Sequence, residues 1–264
     1  MWLILCSSHD AHALWAYEGL KARGLAPLEM VSAEALPYSL RWEHRLDAEG
    51  ARLSVTLRDG RTITSDRLRG VLNRLTHVPT QHLSMSSDHD YMTQEFTAFF
   101  MSWLNALPQP VLNPVTPQGL CGHWRHLSEW VLLASAAGLP TPTYRQSSLD
   151  EIDETRAERK LFPPTTPTRH VIVVGTEVVS PADPPREIRD GCRRLAQLSA
   201  TPLLGVEFAA TPASAWTFAG ASPLPELSFG GEPLLDALAA ALGTTDAARD
   251  GAAAARSNAE VAAR

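Results

Sequence analysis

The stretch Leu203–Pro225, LLGVEFAATPASAWTFAGASPLP, constrains the fold more than any other part of the sequence. Leu203, Leu204, Val206 and Phe208 read as a strand. Thr211-Pro212-Ala213-Ser214 is turn chemistry, and Trp216, Phe218 and Ala219 resume the apolar run. One acid, Glu207, stands inside the first of these strands. A bare carboxylate is costly to bury, so Glu207 must be paired, bound to a metal or turned to solvent.

The chain opens with β-α-β order. Met1 to Cys6 is a buried-type strand that Ser7, Ser8 or Asp10 can follow as a helix cap. Ala11, Leu14, Tyr17 and Leu20 recur at helical spacing up to Gly24, and Leu28 to Val31 is a second strand. That order predicts a parallel sheet. Arg41 to Leu46 and Leu53, Val55 and Leu57 alternate, Asp59-Gly60 turns the chain, and Leu68 to Arg74 is a further strand. From Asp90 to Leu107 the spacing of Phe96, Phe99, Phe100, Trp103, Leu104 and Leu107 predicts a helix with a broad apolar face ended by Pro108, best read as core packing. Val111-Leu112-Asn113 is a short strand, and a helix is predicted from about His123 to Ala137. Further on, Arg169 to Val174 and Glu177 to Val179 flank a Gly175-Thr176 turn. Arg186 to Ser199 is a helix, and Glu232-Pro233 begins another.

Composition excludes several classes. At 264 residues, with 44% hydrophobic and 20% charged, the sequence is that of an ordinary globular chain. A net charge of -6 leaves no basic stripe for nucleic acid, and no apolar run approaches a membrane span. Cys6, Cys121 and Cys192 are odd in number and far apart, which points to a reduced, cytoplasmic setting. Among 23 basic residues only Lys21 and Lys160 are lysines. Any mechanism that needs several lysines is therefore ruled out.

Several short motifs, in order, resemble ATP-grasp ligases. They are Arg74 at a strand end, Val111-Leu112-Asn113-Pro114, Gly138-Leu139-Pro140-Thr141-Pro142-Thr143, and the hairpin around Leu204-Gly205-Val206-Glu207-Phe208. The early hairpin before an arginine strand is most similar to the peptide-modifying, RimK-like branch. The resemblance implies an α/β fold: a small parallel-sheet pre-ATP-grasp domain followed by a truncated α+β ATP-grasp-like C-terminal domain. It also implies a Glu-x-Asn pair of magnesium ligands on the last strand. Gly220 and Ser222 stand in those places here, with Glu207 near the other acidic position.

The resemblance breaks after Tyr144. Residues 146–168 are first charged, with a short helix predicted from Asp150 to Lys160, and then proline-rich. No glycine lies between Gly138 and Gly175. A glycine-rich phosphate loop has no place there. The expected organisation is a pre-ATP-grasp-like domain over 1–110, a connecting strand and helix over 111–145, and a linker replacing a subdomain over 146–168. A truncated C-terminal subdomain over 169–243 and a disordered tail over 244–264 complete it.

Candidate ligand-binding residues are His9, His12, Arg74, Arg125, Arg169 and His170. His9 and His12 follow the first strand, where α/β sheets open their ligand crevice, but also read as solvated helix-start residues. Arg74 can reach an anion or make a structural ion pair. Candidate metal ligands are Glu207, and His123 with His126, three apart and able to share a helical face, though zinc would want a fourth ligand. Two readings follow. In one, the chain is a catalytically inactive ATP-grasp-like protein that binds a peptide or protein partner, such as a precursor peptide or a full-length ATP-grasp ligase, with no cofactor. In the other, it is an active ATP-dependent carboxylate–amine ligase using Mg-ATP, with Arg125, Arg169, His170 and Glu207 as relocated groups. Neither reading involves nucleic acid or membrane.

Overall fold

The structure, a computed structural model, describes residues 1–48, 50–77, 79, 89–107, 110–145, 161–163, 165–211 and 214–243. It divides into two compact units. One spans Met1–Cys121 and takes in the chain from Leu235 onward; the other spans Gly122–Leu234. Expectations for residues 146–160 and for the tail 244–264 lie outside the described residues, as do those for Pro108, Pro212 and Ala213.

In the first unit, β1 (Trp2–Cys6), α1 (Ala11–Ala22) and β2 (Leu28–Ser32) form the expected opening, with β1 and β2 parallel. Asp10 is the residue that caps α1, its carboxylate accepting from the Ala13 N–H at 2.9 Å. A three-stranded antiparallel sheet follows, made of β3 (Arg41–Asp47), β4 (Gly50–Thr56) and β5 (Thr62–Thr64). Next come β6 (Gly70–Asn73), α2 (His89–Asn105) and β7 (Val111–Leu112), which complete a parallel sheet ordered β2-β1-β6-β7.

Alternation along these strands explains the core. Leu3, Leu5, Val31 and Val71 leave one sheet face and pack with Leu53, Val55 and Ile63 of the small sheet and Phe100, Trp103 and Leu104 of α2. The aromatic stripe of α2 is therefore core. Trp42 reaches into it from β3, edge-on to Phe99, Phe100 and Trp103 with centroids 5.2, 5.1 and 5.4 Å away. Elsewhere in this unit α1 meets the last helix of the chain so closely that only glycine fits. A Cβ at Gly19 would lie 2.3 Å from Leu235 Cδ1. Because Leu235 is buried and has little room to move, Gly19→Ala is expected to destabilise the protein by about 1–3 kcal/mol in urea unfolding, the usual cost of overpacking.

The second unit contains α3 (Leu127–Ala136), β8 (Thr168–Val174), β9 (Glu177–Val179), α4 (Arg186–Leu198), β10 (Leu203–Ala209) and β11 (Thr217–Ser222). Its sheet is antiparallel throughout, ordered β11-β10-β8-β9. Val171, Val173, Leu204, Val206, Phe208 and Phe218 turn one face toward Trp130 and Ala134 of α3 and Cys192 and Leu195 of α4. Helix α5 (Gly231–Gly243) begins in this unit and ends in the first.

One expected boundary is corrected. Helix α3 starts at Leu127, not His123, because His126 is its N-cap. The Glu129 carboxylate accepts from the His126 N–H at 3.0 Å, and Nδ1 of His126 lies 3.3 Å from the Ser128 N. This reciprocal capping takes up the exposed N–H groups of the first turn. His123 and His126 therefore do not share a helical face. Mixed α/β architecture, with one parallel and two antiparallel sheets, is the fold class expected from the sequence. Among the described residues no helix is long and apolar enough to cross a membrane.

Candidate functional site

The site is built on the sheet face of the second unit that α3 and α4 leave uncovered. In register, Glu207 of β10 stands directly opposite His170 of β8 on one side and Gly220 of β11 on the other. Strand alternation alone would put Phe218, Gly220 and Ser222 on a common face, and Phe218 is core. A β-bulge prevents this. Phe208 pairs with Phe218 while the adjacent Glu207 pairs with Gly220, so Ala219 is the extra residue. Gly220 and Ser222 are thereby turned to the Glu207 side.

That face lines a cavity of about 220 Å³. Gly205, Glu207 and Gly220 line it from the strands, and Leu224, Pro225, Glu226 and Phe229 from the segment that follows β11. Phe229 stacks on the His170 ring, with centroids 4.4 Å apart and planes at 29°. Pro225 closes over Gly205, where an added Cβ would lie 2.9 Å from the Pro225 Cβ. At Gly220 an added Cβ would meet nothing within 4 Å, so the space a side chain would take there is open. The Ser222 hydroxyl accepts from the Leu224 N–H at 3.0 Å. Glu207 makes no hydrogen bond or ion pair with the described residues, and none of the cavity's lining residues is a lysine or arginine.

The other candidates lie elsewhere. Arg169 and His170 are consecutive on β8 and so face opposite ways. Arg169 lies over Trp216, 5.0 Å from the ring centroid, and pairs in register with Phe208 rather than Glu207. Arg125 precedes α3 and lies over Trp130 at 5.3 Å, with Nη1 3.4 Å from the His123 carbonyl oxygen. Burial lowers its pKa, against the opposing charge of Glu129. In the first unit Arg74 is 4% exposed at its side chain and pairs with Asp10, Nε to Oδ2 at 2.7 Å. His9 lines a cavity of about 510 Å³ beyond the ends of β1 and β2, together with Ser7, Ser8, Leu14, Met30 and Arg61. His12 is not among that cavity's lining residues. Among the proposed ligands, strand pairing sets His170 and Glu207 opposite each other on the lining of one cavity. Phe229 and Glu226 escaped the sequence reading, because they reach the site through a short 3₁₀ turn, Leu227–Gly230, that carries no periodic signal.

Thiol chemistry has little to work with. Burial pushes Cys6 up to about 11 and Cys121 and Cys192 to about 12, so all three remain protonated at neutral pH. Among the described residues no three His, Cys, Asp or Glu side chains come together as a metal site.

Neither a family model nor a curated protein matches the sequence. Solved structures do. The macrocyclase MdnC bound with precursor peptide MdnA from Microcystis aeruginosa MRC is 13% identical with a TM-score of 0.68, over 91% of this chain and 98% of that one. A Chryseobacterium gregarium RiPP-associated ATP-grasp ligase, in complex with ADP and a leader and core peptide, is 11% identical with a TM-score of 0.68, over 92% and 96%. The ATP-grasp ligase PsnB, complexed with minimal precursor, Mg and ADP, is 19% identical with a TM-score of 0.63, over 91% and 98%. The chain has an ATP-grasp-related fold. Of these structural neighbours one is a macrocyclase and two are ATP-grasp ligases, and all three are complexed with a precursor or with leader and core peptides.

That fold raises the question of Mg-ATP. Mg²⁺ asks for near-octahedral hard oxygen ligands, and it usually rests on one or two carboxylates plus phosphate oxygens. The corresponding sheet face offers the Glu207 carboxylate and a serine hydroxyl already engaged by the Leu224 N–H, with Glu226, itself engaged elsewhere, on the lining. Among the described residues no lysine or arginine lines it to meet a triphosphate. The described residues of this lining, without a lysine or arginine, do not supply the charge that Mg-ATP asks for.

Proposed function

We propose that this chain uses an ATP-grasp framework as a binding or accessory protein in peptide modification, without the ATP-driven ligation that framework supports elsewhere. The observation that carries the reading is the lone Glu207 facing Gly220 and Ser222. Phosphoryl transfer depends on cations that neutralise the transferring group. Among the described residues this face has one carboxylate directed at the open space and no lysine or arginine, which supplies neither a full metal seat nor the direct charge. The separation of Arg169 from His170 and Glu207 by the sheet argues against the relocated-ligase alternative. The precursor peptides bound to MdnC and PsnB suggest the partner: a precursor peptide, or a full-length ligase that handles one, in the cytoplasm.

Calorimetry with Mg-ATP tests this on two proteins. The natural chain is expected to show no micromolar binding. Gly220→Glu/Ser222→Asn adds a carboxylate where there is open space, at a position whose backbone any residue can adopt. It is expected to gain Mg²⁺ affinity by about tenfold or more, since affinity follows ligand charge and number. Micromolar Mg-ATP binding by the natural chain, lost in Glu207→Ala, would overturn the reading in favour of an active ligase.

A further inference from the structure

We propose that the cavity on the open sheet face of the second unit takes the cationic end of a basic peptide side chain, with Glu207 as its counter-ion. The inference deepens the peptide-binding reading above and rests on it.

Four features of the cavity point the same way. Among the described residues its lining carries the Glu207 carboxylate and no lysine or arginine, so the charge nearest its open space favours cations over phosphate. Glu207 sits between paired strands without a hydrogen-bond or ion-pair partner among the described residues. A partly buried carboxylate so placed gains from a donor that arrives with a charge. Next to it, Phe229 is 40% exposed while stacked on His170, which leaves an aromatic surface against which an alkyl stem or a cation can lie. Finally, Gly220 leaves open space immediately across from the carboxylate, so a long side chain can reach Glu207 along the bare strand.

Size separates this ligand from a nucleotide. Pockets for drug-sized molecules run from about 300 Å³ upward, whereas this one holds about 220 Å³. A single lysine or arginine side chain is within that volume. A monocation also needs fewer oxygens than Mg²⁺: an ammonium has three donors, and one carboxylate with flanking backbone carbonyls satisfies them.

The test uses the full chain and three probes, N-acetyl-lysine methylamide, N-acetyl-arginine methylamide and the neutral N-acetyl-norleucine methylamide, titrated by NMR with backbone amides as reporters. One or both basic probes are expected to bind in the millimolar range, shifting Gly205 and Gly220, and norleucine to bind at least about tenfold more weakly. Whichever of lysine or arginine binds tighter names the side chain. Glu207→Gln keeps the shape and removes the charge, and is expected to weaken binding about tenfold or more. Phe229→Leu, an exposed position independent of Glu207, is expected to weaken it less. The proposal is overturned if neither basic probe binds, if norleucine binds equally well, or if Glu207→Gln leaves affinity unchanged while its melting curve matches the natural chain. Any of those results with no Mg-ATP binding would leave the accessory-protein reading standing. Mg-ATP binding through Glu207 would end both.

Discussion

Asp10→Ala is expected to destabilise the protein by about 3–5 kcal/mol, read as a lower urea midpoint at unchanged m-value. Two losses combine. The Asp10 carboxylate holds Arg74, whose side chain is 4% exposed, through Nε to Oδ2 at 2.7 Å and Nη2 to Oδ1 at 3.4 Å. Removing the carboxylate of a largely buried pair takes away the counter-charge of Arg74, and that penalty, more than the worth of the pair, sets the size of the effect. The same carboxylate caps α1 through the Ala13 N–H, a contact typically worth about 1 kcal/mol. Asp10→Asn separates the two, since the amide oxygen still caps the helix while the charge is gone. It should fall between Asp10→Ala and the natural chain.

The pair also gives an acid sensitivity. Burial by itself raises the Asp10 pKa, but hydrogen bonding and charge from Arg74, with the Ala13 N–H, more than reverse this and hold it below the ordinary range. A carboxyl depressed on folding adds stability above its unfolded pKa of about 3.9, and that stability is lost as pH falls through the lower folded value. Unfolding curves recorded from pH 5 downward should show the natural chain converging on Asp10→Ala below about pH 4. A cost under about 1 kcal/mol for Asp10→Ala would mean the pair is hydrated in solution.

Phe100→Ala is the second large expected effect, about 3–5 kcal/mol by the same measurement. Phe100 is fully buried and meets Trp42 at 5.1 Å, Phe99 at 5.8 Å, and Trp103 and Phe96 at 6.3 Å. Truncation leaves a void that rings from two elements cannot all close at once, so the cavity cost adds to the lost transfer energy. Phe99 is only partly buried, although it touches the same tryptophan. Phe99→Ala should therefore cost clearly less. Equal effects from the two substitutions would show that α2 does not pack against β3 as described.

Much of this architecture was legible because it is written in periodicity. The continuous apolar run of β1, the period of two in β4, the helical spacing of α2, Gly24 after α1 and the Asp59-Gly60 turn are local devices, and each produced the element expected of it. Where local chemistry offered two answers the reading slipped. His123 to His126 is equally suited to a helix start or a capping loop, and the reciprocal bonds between His126 and Glu129 choose the loop. The candidate site was legible in part. Glu207 drew attention as an acid in an apolar strand. His170 was a candidate too, but its place opposite Glu207 comes only from sheet pairing across 37 residues of chain, and Phe229 arrives by a 3₁₀ turn that drew no attention.

From the amino-acid order alone came most strands of the three sheets, the helices beside them, the odd carboxylate in β10 and the absence of a glycine-rich loop between Gly138 and Gly175. These depend on neighbours a few residues apart. Only the tertiary structure could decide which way the last strand's small residues face. The single extra residue at Ala219 turns Gly220 and Ser222 away from the Phe218 core and toward Glu207. A bulge is a mismatch between two paired strands, so it belongs to neither sequence segment by itself.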